Sequence, residues 1–175
     1  AIIDIDSSFY SADYKSMERM GQLILQVGGR SGRSNKPGSV VVQTHFPDQP
    51  ALRQLINDGY TVFAENLLQE RQANELPPFT YQALIRAESN SRTLAMEFLE
   101  TLNGKNSRNP SVELLGPIPS TMEKRAGYYR ALLLFSSPSR AALHAELSER
   151  IVLAENSALG RKVRWAVDVD PMDLY

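Results

Sequence analysis

The 175-residue chain is 42% hydrophobic and 22% charged, carries a net charge of −1 and contains no cysteine. That is ordinary globular composition; it excludes disorder over most of the length, disulfides and thiolate metal sites, and it fits a reducing cytosol. The longest apolar runs, 131-ALLLF-135 and 39-SVVV-42, are only strand-sized, so no transmembrane span is expected, and the first residues lack the pattern of a cleavable signal. His45 and His144 lie far apart in sequence and do not read as metal ligands.

The chain opens with Ala1-Ile2-Ile3-Asp4-Ile5-Asp6, which reads as a buried strand and suggests a fragment of something longer. Met17, Met20, Ile24 and Val27 recur at helical spacing and predict a helix from about Tyr14 to Val27, stopped by the glycine-rich turn 28–38. The β-branched stretch 39–44 predicts a second strand, and two short helices follow at about 50–57 and 60–74, broken at Gly59. Strand–helix–strand–helix order implies parallel α/β construction. Pro77-Pro78 marks the best domain boundary.

Beyond it Tyr81, Ala83, Ile85 and Ala87 alternate with Gln82, Arg86 and Glu88, the period of a half-buried strand. Ser91 is a candidate cap for a helix carrying Leu94, Phe98, Leu99 and Leu102 and closing near Gly104. Residues 112–116 read as a short strand, then a loop containing Pro117, Pro119 and Gly127, then a strand over 128–135. Ser137-Pro138 reads as a helix opening, with Leu143, Leu147, Ile151 and Ala154 as the apolar face, and 163–170 alternates as a last strand. The order β-α-β-β-α-β is that of the split βαβ, ferredoxin-like arrangement.

The chemically informative stretch is 26-QVGGRSGR-33, or Q-x-x-G-R-x-G-R. A chance match to its five specified positions in a chain of this length is about one in ten thousand. Charge spread over a transferring γ-phosphoryl group is stabilised by guanidinium groups, whose planar fork holds two oxygens at fixed angles. Arg30 and Arg33 are the candidate catalytic arginines, Gly29 and Gly32 would let the backbone approach a phosphate, and Gln26 would hydrogen-bond the nucleotide or a neighbouring motif. The alternative is a glycine-rich helix C-cap whose arginines neutralise the negative helix end.

The charge is uneven. Residues 1–75 carry 7 Lys/Arg against 9 Asp/Glu, whereas 124–164 carry 8 against 3. Within the basic span, Lys124, Arg125, Tyr128 and Arg130 cluster at the loop before the third C-terminal strand, and Arg161, Lys162 and Arg164 flank Trp165. Basic side chains interleaved with aromatics suit single-stranded nucleic acid, where charges track phosphates and rings stack on bases. A solvated basic surface is the plainer alternative, and Trp165 and Tyr129 fall on faces expected to pack on helices. Tyr128 and Arg130 share the other face.

The arginine stretch resembles motif VI of superfamily-two helicases. Together with residues 4–33, 42-VQTHFP-47, 76-LPPF-79, 115-LGPIP-119 and 165-WAVDVDPMD-173, it resembles the C-terminal quarter of the primosomal replication-restart helicase family (PriA, primosomal protein N′) over essentially the whole chain. The resemblance implies that residues 1–75 end a RecA-like helicase lobe two, and that 76–175 form a ferredoxin-like DNA- or partner-binding domain. It implies an ATP- and Mg²⁺-dependent 3′-to-5′ DNA helicase, with zinc ligands elsewhere in the parent, acting on forked or single-stranded DNA in the bacterial cytoplasm at the nucleoid. Single-strand-binding protein and primosome proteins are the implied partners. Arg140 is the candidate for receiving an acidic peptide tail. No G-x-x-x-x-G-K-[ST] is present, so this chain alone is expected to be catalytically inert. Asp4 and Asp6 are too isolated to read as magnesium ligands. A protein-docking module and a helicase acting on RNA or in recombination are the competing readings.

Overall fold

The computed structural model describes residues 2, 4–11, 13–31, 39–104 and 109–173. They fall into two compact units, Ala1–Asn74 and Glu75–Tyr175. No described helix is long and apolar enough to cross a membrane.

In the first unit, helix α1 spans Ser16–Ser31. Asp13 starts it: its carboxylate accepts from the Lys15 amide at 2.9 Å and pairs with Arg19 at 2.8 Å, an Asx-type turn that satisfies an otherwise orphaned helix donor. The helix runs past the stop expected at Gly28, because two glycines cost a helix about 1 kcal/mol each without forbidding it. Nothing lies within 4 Å of where a Cβ would stand at Gly28 or Gly29. Helix α2, Pro50–Ala73, is capped by the Gln49 side chain accepting from Ala51 and breaks at Gly59 (φ 85°, ψ 174°), as the sequence indicated. Ile2, Ile5, Met20, Leu52, Leu55 and Phe63 form the buried cluster of this unit.

The two expected strands of this unit shrink to one parallel bridge, Ile2 to Val42, with the Ile2 amide donating to Val41 and the Gln43 amide to Ile2. Asp6–Ser8 instead form a 3-10 turn. Lone two-stranded pairing is marginal, and no further strand joins this pair among the described residues. The Asp6 carboxylate reinforces it, accepting from the Thr44 hydroxyl and from the His45 amide at 2.9 Å.

The Thr44 hydroxyl, and next the His45 amide, hold the Asp6 carboxyl below the ordinary carboxylate range. A group whose folded pKa is depressed adds stability above its unfolded pKa and loses it as the pH falls through the folded value. The tie is therefore expected to be complete above about pH 4 and to dissolve only at more acid pH. An NMR carboxyl titration should place Asp6 below the ordinary aspartate range; a midpoint inside that range would contradict the tie.

The second unit contains β1 (Tyr81–Ser89), α3 (Arg92–Asn103), β2 (Glu113–Arg125), β3 (Tyr128–Ser137), α4 (Arg140–Asn156) and β4 (Arg164–Val169). The sheet is antiparallel with strand order β2-β3-β1-β4, so the β-α-β-β-α-β chain order and the strand order are those of the split βαβ layout. Ala83, Ile85 and Ala87 of β1 and Ala131, Leu133 and Phe135 of β3 pack with Phe98, Leu99 and Leu102 of α3 and Leu143 and Leu147 of α4 in one core. Both helices thus cover one face of the sheet. Ser91 caps α3 and Gly104 ends it, as expected.

Three expectations need correction. First, β2 is a 13-residue strand and not a five-residue one followed by a loop. Its prolines sit on an edge strand, where no ladder partner needs their missing N–H, and register shifts between Leu115 and Ile118 and between Pro119 and Lys124 absorb them. Only Ala126 and Gly127, both at positive φ, form the turn to β3. Second, Ser139, not Ser137, caps α4; Ser137 Oγ accepts from the Ser139 amide one step earlier. Third, the inward face of α4 is not purely apolar: Glu146 and Arg150 are buried on it, whereas Ile151 is half-buried. On β1, Gln82 and Leu84 are buried as well as the helix-facing residues.

Candidate nucleic-acid interface

Strand alternation sorts the basic residues onto faces. Tyr129 precedes Ala131 and Leu133 on the helix-covered face, so Tyr128 and Arg130 point from the opposite face, which is open at this end although Gln82, Leu84 and Leu132 farther along it are buried. Register places Arg125 opposite Tyr128, and Arg164, Glu88 and Arg130 in one row across β4, β1 and β3. The open face therefore gathers Arg125, Tyr128, Arg130 and Arg164. Lys124, opposite Tyr129, belongs to the other face, its Nζ 4.7 Å from the Tyr129 ring centroid. Lys124 and Arg125 are thus strand residues and not members of a loop. Arg161 and Lys162 are exposed in the turn entering β4.

Electrostatics separate these cations into two kinds. Arg130 is largely covered and pairs with Glu88 at 3.1 Å. Among the described residues, Lys124, Arg125, Arg161, Lys162 and Arg164 are exposed and have no carboxylate partner. The Arg164 guanidinium lies 4.6 Å from the Tyr128 ring centroid, a cation–π contact that fixes the ring and leaves guanidinium donors for a ligand. Trp165 faces the other way, half-buried and 6.1 Å from Phe98, which accords with its expected packing role.

A cavity of about 740 Å³ opens on this face, lined by Arg86, Thr121, Met122, Arg125, Arg130, Asp168 and Asp173. Sequence reasoning missed Arg86. Alternation marked it only as an outward residue of a half-buried strand, and its partners lie more than eighty residues away: the Asp168 carboxylate at 3.0 Å and the Asp173 carbonyl at 2.8 Å.

Arg140 stands apart. It is the first residue of α4, exposed, paired with Asp170 at 3.2 Å and 4.8 Å from the Tyr81 ring centroid. Tyr81 and Glu88 lie at opposite ends of β1, about 23 Å apart along the strand. Arg140 therefore does not join the Arg125–Arg164 cluster.

In the first unit Gln26, Gly29 and Arg30 occupy the last two turns of α1, all exposed. Gln26 and Arg30 are four residues apart and share one helix face. Gly29 is helical and makes no tight turn. Gly32 and Arg33 lie outside the described residues. Arg30 at the helix C-terminus complements the macrodipole, and its exposed guanidinium is chemically suited to phosphate oxygens. Among the described residues no three His, Asp or Glu converge as a metal site.

Residues 72–172 match the family model described as primosomal protein N C-terminal domain. Over 178 residues the chain is 42% identical to the replication restart protein PriA of Haemophilus influenzae, an alignment covering 99% of this chain and 24% of that protein. Proteins of the same name from Chlamydia pneumoniae (30% identical, 99% of this chain, 23% of the relative) and Synechocystis sp. (29%, 99% and 20%) are also similar. The chain thus spans about a quarter of the length of these curated relatives.

Proposed function

The chain belongs to the primosomal protein N C-terminal domain family, and from that premise we propose that it is the DNA-gripping end of a replication-restart helicase. One observation carries the reading: Arg125 and Arg164, with no carboxylate partner among the described residues, flank Tyr128 on the sheet face opposite α3 and α4. Cations beside a stackable ring suit single-stranded or forked DNA without demanding a particular base sequence. Lys124 on the β2 edge, and Arg161 and Lys162 before β4 on the opposite edge, are further exposed cations.

Residues 1–75 serve in this reading as the end of a RecA-like lobe two, and the second unit as a ferredoxin-like DNA- and partner-binding domain. Arg30 and Arg33 hold the γ-phosphate of an ATP that another part of the protein binds with Mg²⁺. Exposure of Arg30 beside Gln26 fits that role. The ATP supplies the free energy for 3′-to-5′ unwinding; the arginines neutralise its developing phosphate charge. Zinc finds no thiolate here, because the chain has no cysteine, and any zinc site belongs elsewhere in the parent. Partners in this reading are single-strand-binding protein and primosome proteins, with exposed Arg140 offered to an acidic peptide. The setting is the bacterial cytoplasm, at the nucleoid.

Fluorescence anisotropy of labelled forked and single-stranded DNA, titrated with this chain at 50 and 200 mM salt, tests the reading. If the five cations without carboxylate partners each meet a phosphate, affinity for the single strand should fall about 100-fold between the two conditions. Absence of binding at 50 mM would overturn it.

A further inference from the structure

The open-face cavity contains three arginines, and their occupancy differs. Arg130 is paired with Glu88. Arg125, across the cavity, has no carboxylate partner among the described residues. Arg86 is held by chain that comes after it in sequence: its Nη2 donates to Asp168 Oδ2 at 3.0 Å and to the Asp173 carbonyl at 2.8 Å, with Asp173 Oδ1 at 3.3 Å.

The two aspartates are not equivalent. Asp168 is fixed within β4, opposite Leu84 of β1. Asp173 lies beyond the end of β4, in a segment with no strand pairing, and its side chain is 46% exposed. A carboxylate and a phosphodiester present the same paired anionic oxygens to a guanidinium. The cavity volume of about 740 Å³ lies within the range that encloses small-molecule ligands.

We propose that this cavity is a phosphodiester subsite for single-stranded DNA whose Arg86 is engaged in the free protein by Asp173, through its carbonyl at 2.8 Å and its carboxylate at 3.3 Å, and that both leave Arg86 when a DNA phosphate enters beside Arg125 and Arg130. The proposal rests on the DNA-binding reading above and adds to it Arg86 as a phosphate ligand and Asp173 as an internal competitor. Asp168 stays on Arg86 throughout and keeps the fork aimed into the cavity. Partly exposed ion pairs are weak, so the competition is a modest brake on affinity and not a lock. Glu88 remains on Arg130, so the subsite draws chiefly on Arg125 and Arg86.

Single-stranded DNA binding by the 175-residue chain at 50 mM salt is expected to tighten about two- to five-fold on Asp173→Asn and to weaken on Arg86→Ala. In the Arg86→Ala background, Asp173→Asn should have no further effect. Glu97→Gln, on α3 beyond the other face of the sheet, removes the same charge and sets the general charge increment. Should Arg86→Ala disturb the fluorescence of Trp165, Arg86→Lys replaces it, keeping charge and losing the fork. Equal tightening by Glu97→Gln and Asp173→Asn, or the same gain with and without Arg86, overturns the proposal while leaving DNA binding by this face intact. Weaker binding on Asp173→Asn overturns it too, making the contact a support of the face. No binding by any form overturns the DNA reading beneath it.

Discussion

Replacing Glu146 with alanine is expected to destabilise the second unit by about 3–5 kcal/mol, the usual result of removing one partner from a buried ion pair. Glu146 and Arg150 stand one turn apart on α4, with side chains 2% and 3% exposed. Arg150 Nε donates to Glu146 Oε1 at 2.7 Å, and its Nη1 donates to the Leu102 carbonyl in the last turn of α3. The guanidinium therefore clamps the end of one helix to the middle of the other. Without Glu146 the Leu102 bond remains, but the buried positive charge loses this carboxylate, and that is where the cost arises. The pair itself adds little net stability, since its desolvation offsets its attraction, so the double change Glu146→Leu/Arg150→Met should cost less than Glu146→Ala, about 1–3 kcal/mol for the Leu102 carbonyl that loses this donor. Trp165, the only tryptophan, sits in β4 and reports on this unit, so its fluorescence across a urea titration measures both variants. A loss below about 1 kcal/mol in Glu146→Ala would show that water reaches the pair.

The second large effect is expected at Phe98. Its ring is fully buried, contacts the core shared by both helices and the sheet, and lies 6.1 Å from the Trp165 ring. Phe98→Ala is expected to cost about 3–5 kcal/mol, combining lost apolar transfer with a cavity that the neighbours cannot collapse. Rigidity on one side supports the upper part of that range. At Gly160 a Cβ would stand 2.0 Å from the Ala154 carbonyl oxygen and 3.4 Å from Phe98 Cε2, so the turn before β4 is already pressed against the end of α4 and the ring. The same titration, read also by far-ultraviolet circular dichroism, measures the loss; a change below about 1.5 kcal/mol would mean that the core repacks around the vacancy.

What sequence could and could not say follows from how far each signal reaches. Ser91 and Gly59 act on their own backbone, and each did what its chemistry dictates, whereas Gly104 ends α3 in an ordinary right-handed conformation. Pro117 and Pro119 read as loop because nothing local says that β2 lies at a sheet edge, where prolines are tolerated. Ser137 and Ser139 flank Pro138 with equal cap chemistry, and the choice fell to the exit geometry of β3. Glu146 and Arg150 have the spacing of a solvated surface pair; only the Leu102 carbonyl from another helix shows otherwise. In the candidate interface, alternation along β3 put Tyr128 and Arg130 on one face. Bringing Arg164 over Tyr128 and Asp173 onto Arg86 required the strand order.

The most direct test of the central claim, that the open sheet face grips the DNA backbone, is the slope of log affinity against log salt for single-stranded DNA. It should be compared between the parent chain and Arg125→Gln/Arg164→Gln. Each lost phosphate contact on a single strand lowers the slope by about 0.7, so the double variant should bind more weakly with a slope shallower by about 1.4. An unchanged slope would place the phosphates elsewhere and contradict the claim.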